Sequence, residues 1–357
     1  MKIVIGMSGG VDSSVTAALL KKEGHELHGI TLQLWRGDPK RGIEWYERAC
    51  CKADVAREAA QKIGIPFTVI NIQEEFEKEI IDDFCKEYLS GRTPNPCIRC
   101  NEKIKFGLLL KKARELGAER LATGHYARTD FNPAINRYIL KKGIDSKKDQ
   151  SYFLYRLNQE QLGSVIFPIG GLKKERVIEI AKEMGLPGAE GKESQEICFV
   201  TDAEEEDYRG FLEERMPEAK KIGEFVDTTG KVIGRHEGIA FYTIGQRRGL
   251  GISSSKRLYV VDIDAKSNRV ILGDEDELFK DELIAEDLNL IAIERLAAPM
   301  DVAAKIRYLN PEVPAEIMPY DEGKVKVKFK EPQRAIAKGQ SVVFYDNDIV
   351  IGGGIIS

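Results

Sequence analysis

Two groups of residues in this chain have the types and spacing to do chemistry. The first is Ser8-Gly9-Gly10-Val11-Asp12-Ser13, directly after the apolar run Lys2–Met7. Glycines at such a point let the backbone turn sharply and approach a ligand closely. The N–H groups that open the following helix then point outward, where phosphate oxygens can take them. No Gly-Lys-Ser/Thr of the Walker type is present, so γ-phosphate hydrolysis of the kinase or GTPase sort is not indicated. A plain glycine turn with Asp12 or Ser13 as helix cap is the simpler account, and the position after the first strand argues against it. The second group is thiols: Cys50, Cys51, Cys85, Cys97, Cys100 and Cys198. In a 357-residue chain without an export signal these read as reactive or metal-binding rather than as a disulfide scaffold. Cys97-x-x-Cys100 fits a redox pair or half of a zinc site, although no further zinc ligands stand out.

Strands alternating with helices must position these groups. Lys2–Met7 reads as a strand, Ser13–Glu23 as a helix and Glu26–Leu34 as a strand. Asp54–Ile63 reads as a helix stopped by Gly64, and Pro66–Ile72 as the next strand. Phe76–Leu89 and Lys105–Leu116 read as helices and Leu121–Thr123 as a short strand. This alternation predicts an α/β fold with a Rossmann-like parallel sheet, whose ligands sit at the carboxyl ends of the strands. After Arg209 glycines and short strands take over: Gly223–Leu250, then two strands in Leu258–Leu272 joined around Lys266–Asn268. The acidic run Asp274–Asp287 reads as a boundary. Lys324–Lys330 alternates with period two and, with Val342–Tyr345 and Ile349–Ile356, predicts a C-terminal β-barrel. The expected domains are residues 1–208, a β-rich 209–275 and the barrel 276–357.

Composition is that of a globular protein, with 42% apolar and 31% charged residues. No stretch approaches the roughly 18 apolar residues of a membrane span, and the N-terminal apolar run is too soon broken for a signal peptide; the expected location is the cytoplasm. A net charge of −4 leaves any RNA contact to local basic patches. Three clusters qualify: Lys103, Lys105, Lys111, Lys112 and Arg114; Lys141, Lys142, Lys147 and Lys148; and Arg247-Arg248. A solvated helix face is the ordinary account of any one of them.

Ser8–Ser13 resembles the PP-loop of N-type ATP pyrophosphatases, which cradles pyrophosphate and leaves AMP on a substrate. Asp12 would then hold Mg²⁺ or orient the substrate. With Gly91–Asn101, Lys103–Phe106, Ala122–Ala127, Lys148–Phe153, Ser194–Phe199, Gly245–Leu250 and Gly339-Gln340, the chain resembles the tRNA-specific 2-thiouridylase (MnmA/TrmU) family along nearly its whole length. The resemblance implies ATP-dependent 2-thiolation of a tRNA uridine, at the wobble position of tRNAs for Lys, Glu and Gln. It implies Cys100 as catalytic nucleophile and Cys198 as persulfide carrier. Gly6, Met7, Ser8, Gly9, Gly10, Val11, Asp12, Ser13, Leu32 and Gly124 match its ATP contacts. Asn95, Pro96 and Cys97 match its contacts to the target base, and His125, Lys148, Asp149, Gln150, Arg307, Tyr308 and Gln340 its other tRNA contacts. The sulfur donor would be a cysteine desulfurase, a relay protein or sulfide.

The chemistry is coherent with these parts. The C2 oxygen of uridine leaves poorly until AMP is attached, and a persulfide sulfur can then displace it. Arg99 and Lys103 would favour a neighbouring thiolate, and a flipped uridine would suit a pocket at Asn95–Cys100. One departure stands out, because many family members carry Asp where this chain has Cys97. Cys97, Cys100 and Cys198 could ligate three irons of a [4Fe–4S] cluster that binds hydrosulfide on the fourth. A cluster and a bare persulfide both remain open, with the three-thiol set leaning toward the cluster.

Two rivals are an adenylating PP-loop synthetase with an amine nucleophile, which needs no thiols, and a non-catalytic nucleotide-dependent RNA-binding protein. Cys85, on a helix face with Ile81, Phe84 and Tyr88, reads as core. Cys50-Cys51, His25, His28 and His236 read as packing or surface residues. Trp35 and Trp45 flank the loop Gly37–Gly42, read as surface loop before mobile lid.

Overall fold

A computed structural model describes residues 1–34, 52–188, 197–200, 208–254 and 256–357. Cys50, Cys51, Trp35, Trp45, the loop 37–42 and the first three residues of the Ser194–Phe199 motif lie outside the described residues. The chain divides into two compact units.

The first unit holds Met1–Ile80, Cys97–Phe199 and Asp348–Ile351. Its centre is a five-stranded parallel sheet built from β1 (Lys2–Gly6), β2 (Glu26–Gln33), β3 (Phe67–Asn71), β4 (Arg120–Thr123) and β7 (Val165–Ile166). Their order is β3-β2-β1-β4-β7. The chain winds outward through β2 and β3, then returns to the other side of β1. The break in winding direction therefore falls between β1 and β4, where ligands of such sheets bind. Helix α1 (Val11–Lys22) is buried on two sides. Ala17 and Leu20 join Ile3, Ile5 and Met7 and the alanines Ala56, Ala59 and Ala60 of helix Ala53–Ile63. Val11, Val15 and Ala18 pack with Val177, Ile180 and Ala181 of helix Lys174–Glu183. Small side chains let the helices lie close, and buried Ser14 and Thr16 satisfy their hydroxyls on the carbonyls of Gly10 and Asp12. Gly64 ends Ala53–Ile63 in the left-handed conformation (φ 71°).

The antiparallel hairpin β5 (Ala127–Asn132) and β6 (Arg137–Lys142) turns at Asn136 (φ 51°), and Ile349 and Val350 pair with Lys141 and Leu140. No alternation of apolar and polar residues announces this hairpin in the sequence. The helix expected over Lys105–Leu116 starts earlier. Pro96–Arg99 forms one turn, Cys100–Leu108 a π-helical run, and Leu109–Glu115 the α-helix.

The second unit holds Ile81–Pro96, Val200–Asn347 and Gly352–Ser357. Helix Asp82–Leu89 belongs here: Tyr88 stacks on Tyr208 at 4.8 Å, and Phe84 meets the edge of Phe211. Cys85, Ile81, Phe84 and Tyr88 are all buried, as their spacing predicts. A four-stranded sheet has the order β10 (Tyr259–Asp264), β11 (Arg269–Gly273), β8 (Gly223–Asp227), β9 (Val232–His236). The C-terminal strands are β12 (Phe279–Leu290), β13 (Met300–Lys305), β14 (Val313–Pro319), β15 (Val325–Arg334), β16 (Ser341–Asp346) and β17 (Ile349–Ile356). They run β12-β15-β14-β13-β16-β17, and Ala285–Leu290 close the ring on Gly352–Ile356. Closure leaves no open edge to template aggregation.

The acidic run 274–287 is only in part a boundary. Asp274 caps the turn Glu275–Leu278 and Phe279 opens β12. Leu283 and Ala285 are buried on the barrel side, while Asp281 and Glu282 pair with Lys328 and Lys326 of β15. Acidic composition hid a strand because its charges are met across the ladder.

Candidate active site

The PP-loop leaves the carboxyl end of β1. Gly9 sits at φ +80°, and a Cβ there would lie 2.5 Å from the Lys52 carbonyl oxygen. The Lys52 N–H donates to the Ser8 carbonyl at 2.9 Å, and the Ser13 hydroxyl to the Gly10 carbonyl at 3.0 Å. The loop is thus tied down by its own backbone. Gly10 caps α1 with no side-chain acceptor, which leaves the first N–H groups of a buried helix directed at whatever enters the loop. Gly124, just past β4, covers them closely: a Cβ there would sit 2.7 Å from the Ser13 nitrogen and 2.8 Å from the Asp12 carbonyl carbon. Gly6 ends β1 and Leu32 is buried in β2. Met7 is held by Ile30, its N–H donating at 2.8 Å. Loop, helix start and Gly124 meet where the sheet's winding reverses, while Leu32 lies in β2 on the other side of β1.

Asp12 is the charged centre of that place. Tyr126 Oη donates to its Oδ1 at 2.7 Å, and Lys174 Nζ lies 2.8 and 2.9 Å from its two oxygens. Tyr126 is buried and fixed in turn by Gln150, whose Oε1 accepts from its N–H at 3.0 Å. Lys174 carries no local sequence signal; only the packing of its helix on α1 delivers it. In this structure the cation on Asp12 is an ammonium, and Mg²⁺ arriving with a nucleotide would have to exchange with it.

The cysteine loop lies in the same unit from Cys97 onward. Cys100 is buried at the opening of the π-helical run, Cys97 is exposed, and Cys198 is partly exposed beside Phe199, whose ring meets Phe76 edge-on at 5.9 Å. π-Helical turns are rare and recur at functional sites. None of the three is in a disulfide. Among the described residues no group of three or more His, Cys, Asp or Glu side chains could hold a metal ion. The three thiols are thus not gathered into a metal-binding group in this structure. Arg99 and Lys103 are both ion-paired to Glu102, at 3.2 and 3.4 Å. Asn101 donates to the Phe153 carbonyl at 3.2 Å, and its buried Oδ1 has no partner among the described residues.

Several residues matched to RNA contacts have their side chains committed internally. His125 is buried between Phe106 and Phe167, with Nδ1 2.8 Å from the Thr123 hydroxyl. Burial, helped by Lys105, holds its pKa well below the ordinary value, so the ring is neutral near pH 7. Asp149 is buried and accepts from the N–H groups of Gly143 and Ser151 and from the Ser151 hydroxyl. The Lys148 N–H donates to the Asp145 carbonyl. In the second unit, Arg307 Nη2 donates to the Ala335 carbonyl at 2.7 Å, and Lys305 Nζ lies 5.6 Å over the Tyr308 ring. Gln340 Nε2 donates to the carbonyls of Thr93 and Pro94, at 3.0 and 3.2 Å, just ahead of Asn95 and Pro96. His25, His28 and His236 pair with Glu23, Thr68 and the Gly238 N–H, as expected of structural or surface residues.

A parallel sheet with a glycine loop, uncapped helix start and acidic residue at its winding reversal defines a nucleotide-binding α/β protein of the PP-loop class. Residues 1–202 match the family model described as tRNA methyl transferase HUP domain, 209–274 its PRC-barrel domain, and 280–356 the aminomethyltransferase beta-barrel domain. The chain is 53% identical to tRNA-specific 2-thiouridylase MnmA 2 of Caldanaerobacter subterraneus, over 99% of this chain and 97% of that one. It is 51% identical to tRNA-specific 2-thiouridylase MnmA of Clostridium acetobutylicum, over 99% of both chains. Against the protein of that name in Clostridioides difficile it is also 51% identical, over 99% and 98%. The chain belongs to the tRNA-specific 2-thiouridylase family. Among the described residues no helix is long and apolar enough to cross a membrane.

Proposed function

We propose that this protein is an ATP-dependent tRNA uridine 2-sulfurtransferase acting in the cytoplasm on the wobble uridine of tRNAs for Lys, Glu and Gln. The observation that carries the reading is the PP-loop cradle of Ser8–Ser13 under Gly124, in the same compact unit as Cys100 and Cys198. Helix-start N–H groups are suited to the phosphates, and Asp12, oriented by Tyr126 and Lys174, to Mg²⁺ or the substrate. Mg²⁺ would supply charge neutralisation on the phosphates.

The uridine O2 attacks the α-phosphorus, pyrophosphate leaves, and AMP is left on the oxygen. The terminal sulfur of a Cys198 persulfide attacks C2, and AMP departs with the former O2. The Cys100 thiolate then attacks the Cys198 sulfur. A Cys100–Cys198 disulfide forms, the S–S bond to the base breaks, and 2-thiouridine is released; a thiol reductant resets the pair. This route needs only the two thiols of Cys100 and Cys198 and takes no step through an iron–sulfur cluster. A cysteine desulfurase or a relay protein loads Cys198 by passing on a persulfide sulfur; sulfide loads it by attacking the Cys198 sulfur of the Cys100–Cys198 disulfide, which breaks the S–S bond and leaves Cys100 as the thiolate.

Mass spectrometry of nucleosides from tRNA incubated with protein, ATP and a sulfide source tests the reading. Expected is 2-thiouridine with the native protein and none with Cys198→Ser. Unchanged thiolation by that variant, or none by the native protein, would refute it; an amine-using synthetase or a non-catalytic RNA binder would give the latter.

A further inference from the structure

Between β9 and β10 the chain forms a loop whose ends are closed on each other. The Gly245 N–H donates to the Val260 carbonyl at 2.8 Å, and the Val260 N–H to the Gln246 carbonyl at 2.9 Å. The Gln246 side chain fixes the first turn, accepting from the Thr243 N–H and donating to the Arg248 carbonyl, both at 3.0 Å. Leu250 is buried, and Ile252 seats on β9 at Gly234, where a Cβ would collide with its Cδ1. With these two side chains turned inward, the loop shapes a cavity of about 420 Å³ lined by Arg247, Ser253, Lys256 and Arg257 and by Gly249 and Gly251. Lys256 is paired with Asp274 at 3.0 Å. Arg247 and Arg257 are exposed and, among the described residues, their guanidiniums have no ion pair or hydrogen bond.

We propose that this cavity binds backbone phosphate of the tRNA through Arg247 and Arg257. This rests on the function proposed above and adds a place on the second unit where the RNA is held. Two guanidiniums lining one cavity repel each other until an anion enters between them. Each presents its donors in one plane, the match for two phosphate oxygens. Glycine backbone and the Ser253 hydroxyl are the other groups that take phosphate oxygens, and such contacts fix the register of a strand. A protein partner would need a desolvated aromatic or apolar anchor. Among the described residues no aromatic side chain lines this cavity. An acidic protein that delivers sulfur is the competing ligand.

The test is anisotropy of labelled tRNA with the full-length protein across about 50–200 mM KCl, where each lost phosphate contact shows in the salt dependence. Arg247→Gln and Arg257→Gln are each expected to weaken binding about fivefold and to lower the slope of log Kd against log salt by about one. Arg247→Lys keeps the charge, so it preserves the slope while losing part of the affinity. Lys22→Gln, exposed in the last turn of α1, is the control for net charge and should match the native protein. Both arginines are exposed, so their variants should unfold at the native urea midpoint. Slopes equal to that of the native protein in both glutamine variants overturn the phosphate site. An equal fall in Lys22→Gln does so too, as does a defect confined to binding a sulfur-donor protein. If native protein thiolates tRNA while the slopes stay equal, only this inference falls. Native protein that neither binds nor thiolates tRNA takes the function with it.

Discussion

The Lys174 ammonium lies 2.8 and 2.9 Å from the two carboxylate oxygens of Asp12, across 162 positions of sequence. With the Tyr126 hydroxyl on Oδ1 and Gln150 behind Tyr126, it sets the orientation of the PP-loop's own carboxylate. Both side chains are largely buried, at 12% and 26% exposure, so the pair is expected to matter to stability as well as to nucleotide handling. Lys174→Met should cost about 2–4 kcal/mol by leaving a poorly solvated charge unpaired. The double variant with Asp12→Asn should cost less than the sum, since the two changes remove one interaction. Denaturant titration of the four proteins measures this; additive losses would mean the ion pair carries no coupling.

Gly124→Ala is expected to abolish the thermal shift given by ATP, because the added methyl would press on the Ser13 nitrogen at 2.7 Å. Gly171→Ala is the control, since no heavy atom lies within 4 Å of a Cβ there. Differential scanning fluorimetry with and without ATP reads both. An intact ATP shift in Gly124→Ala would place the nucleotide elsewhere.

His125 makes stability depend on pH. Its folded pKa is depressed below 6.5 by burial first and Lys105 second. The unfolded chain therefore binds a proton that the native state refuses. Stability is full above about pH 6.5 and falls as pH drops below it, by up to about 1.4 kcal/mol per pH unit. His125→Gln should flatten that part of the profile in urea titrations between pH 7.5 and 5.5; an unchanged profile would mean that the native ring protonates freely.

Gln340 donates to the Thr93 and Pro94 carbonyls. Gln340→Ala should cost about 1 kcal/mol and reduce thiolation by loosening the segment before Asn95. Gln340→Glu should be worse, since a carboxylate would face two carbonyl oxygens. Urea midpoints and single-turnover thiolation check the order; a Glu variant equal to or better than Ala would contradict the clamp.

The nucleotide half of the site was legible in the sequence because loop, strand and helix start are contiguous: Ser8–Ser13 states its geometry locally, and Gly124 follows a short strand. Lys174 and Tyr126 were not, since their contact with Asp12 comes from helix packing that no local period encodes. β12 was obscured by acidic residues whose partners, Lys326 and Lys328, are supplied by another strand. The helix after Pro96 gave a normal apolar pattern, and nothing in it signals the π-helical run that Cys100 opens. The cationic residues beside Cys100 were visible, but their gathering on Glu102 depends on Arg156, more than fifty positions on.

The most direct test of the central claim is a single turnover without reductant, with the protein persulfurated beforehand, followed by peptide mapping under non-reducing conditions. The account predicts one Cys100–Cys198 disulfide for each 2-thiouridine formed. Thiolation with both thiols still free, or with a disulfide joining Cys97 to Cys100 instead, would contradict it.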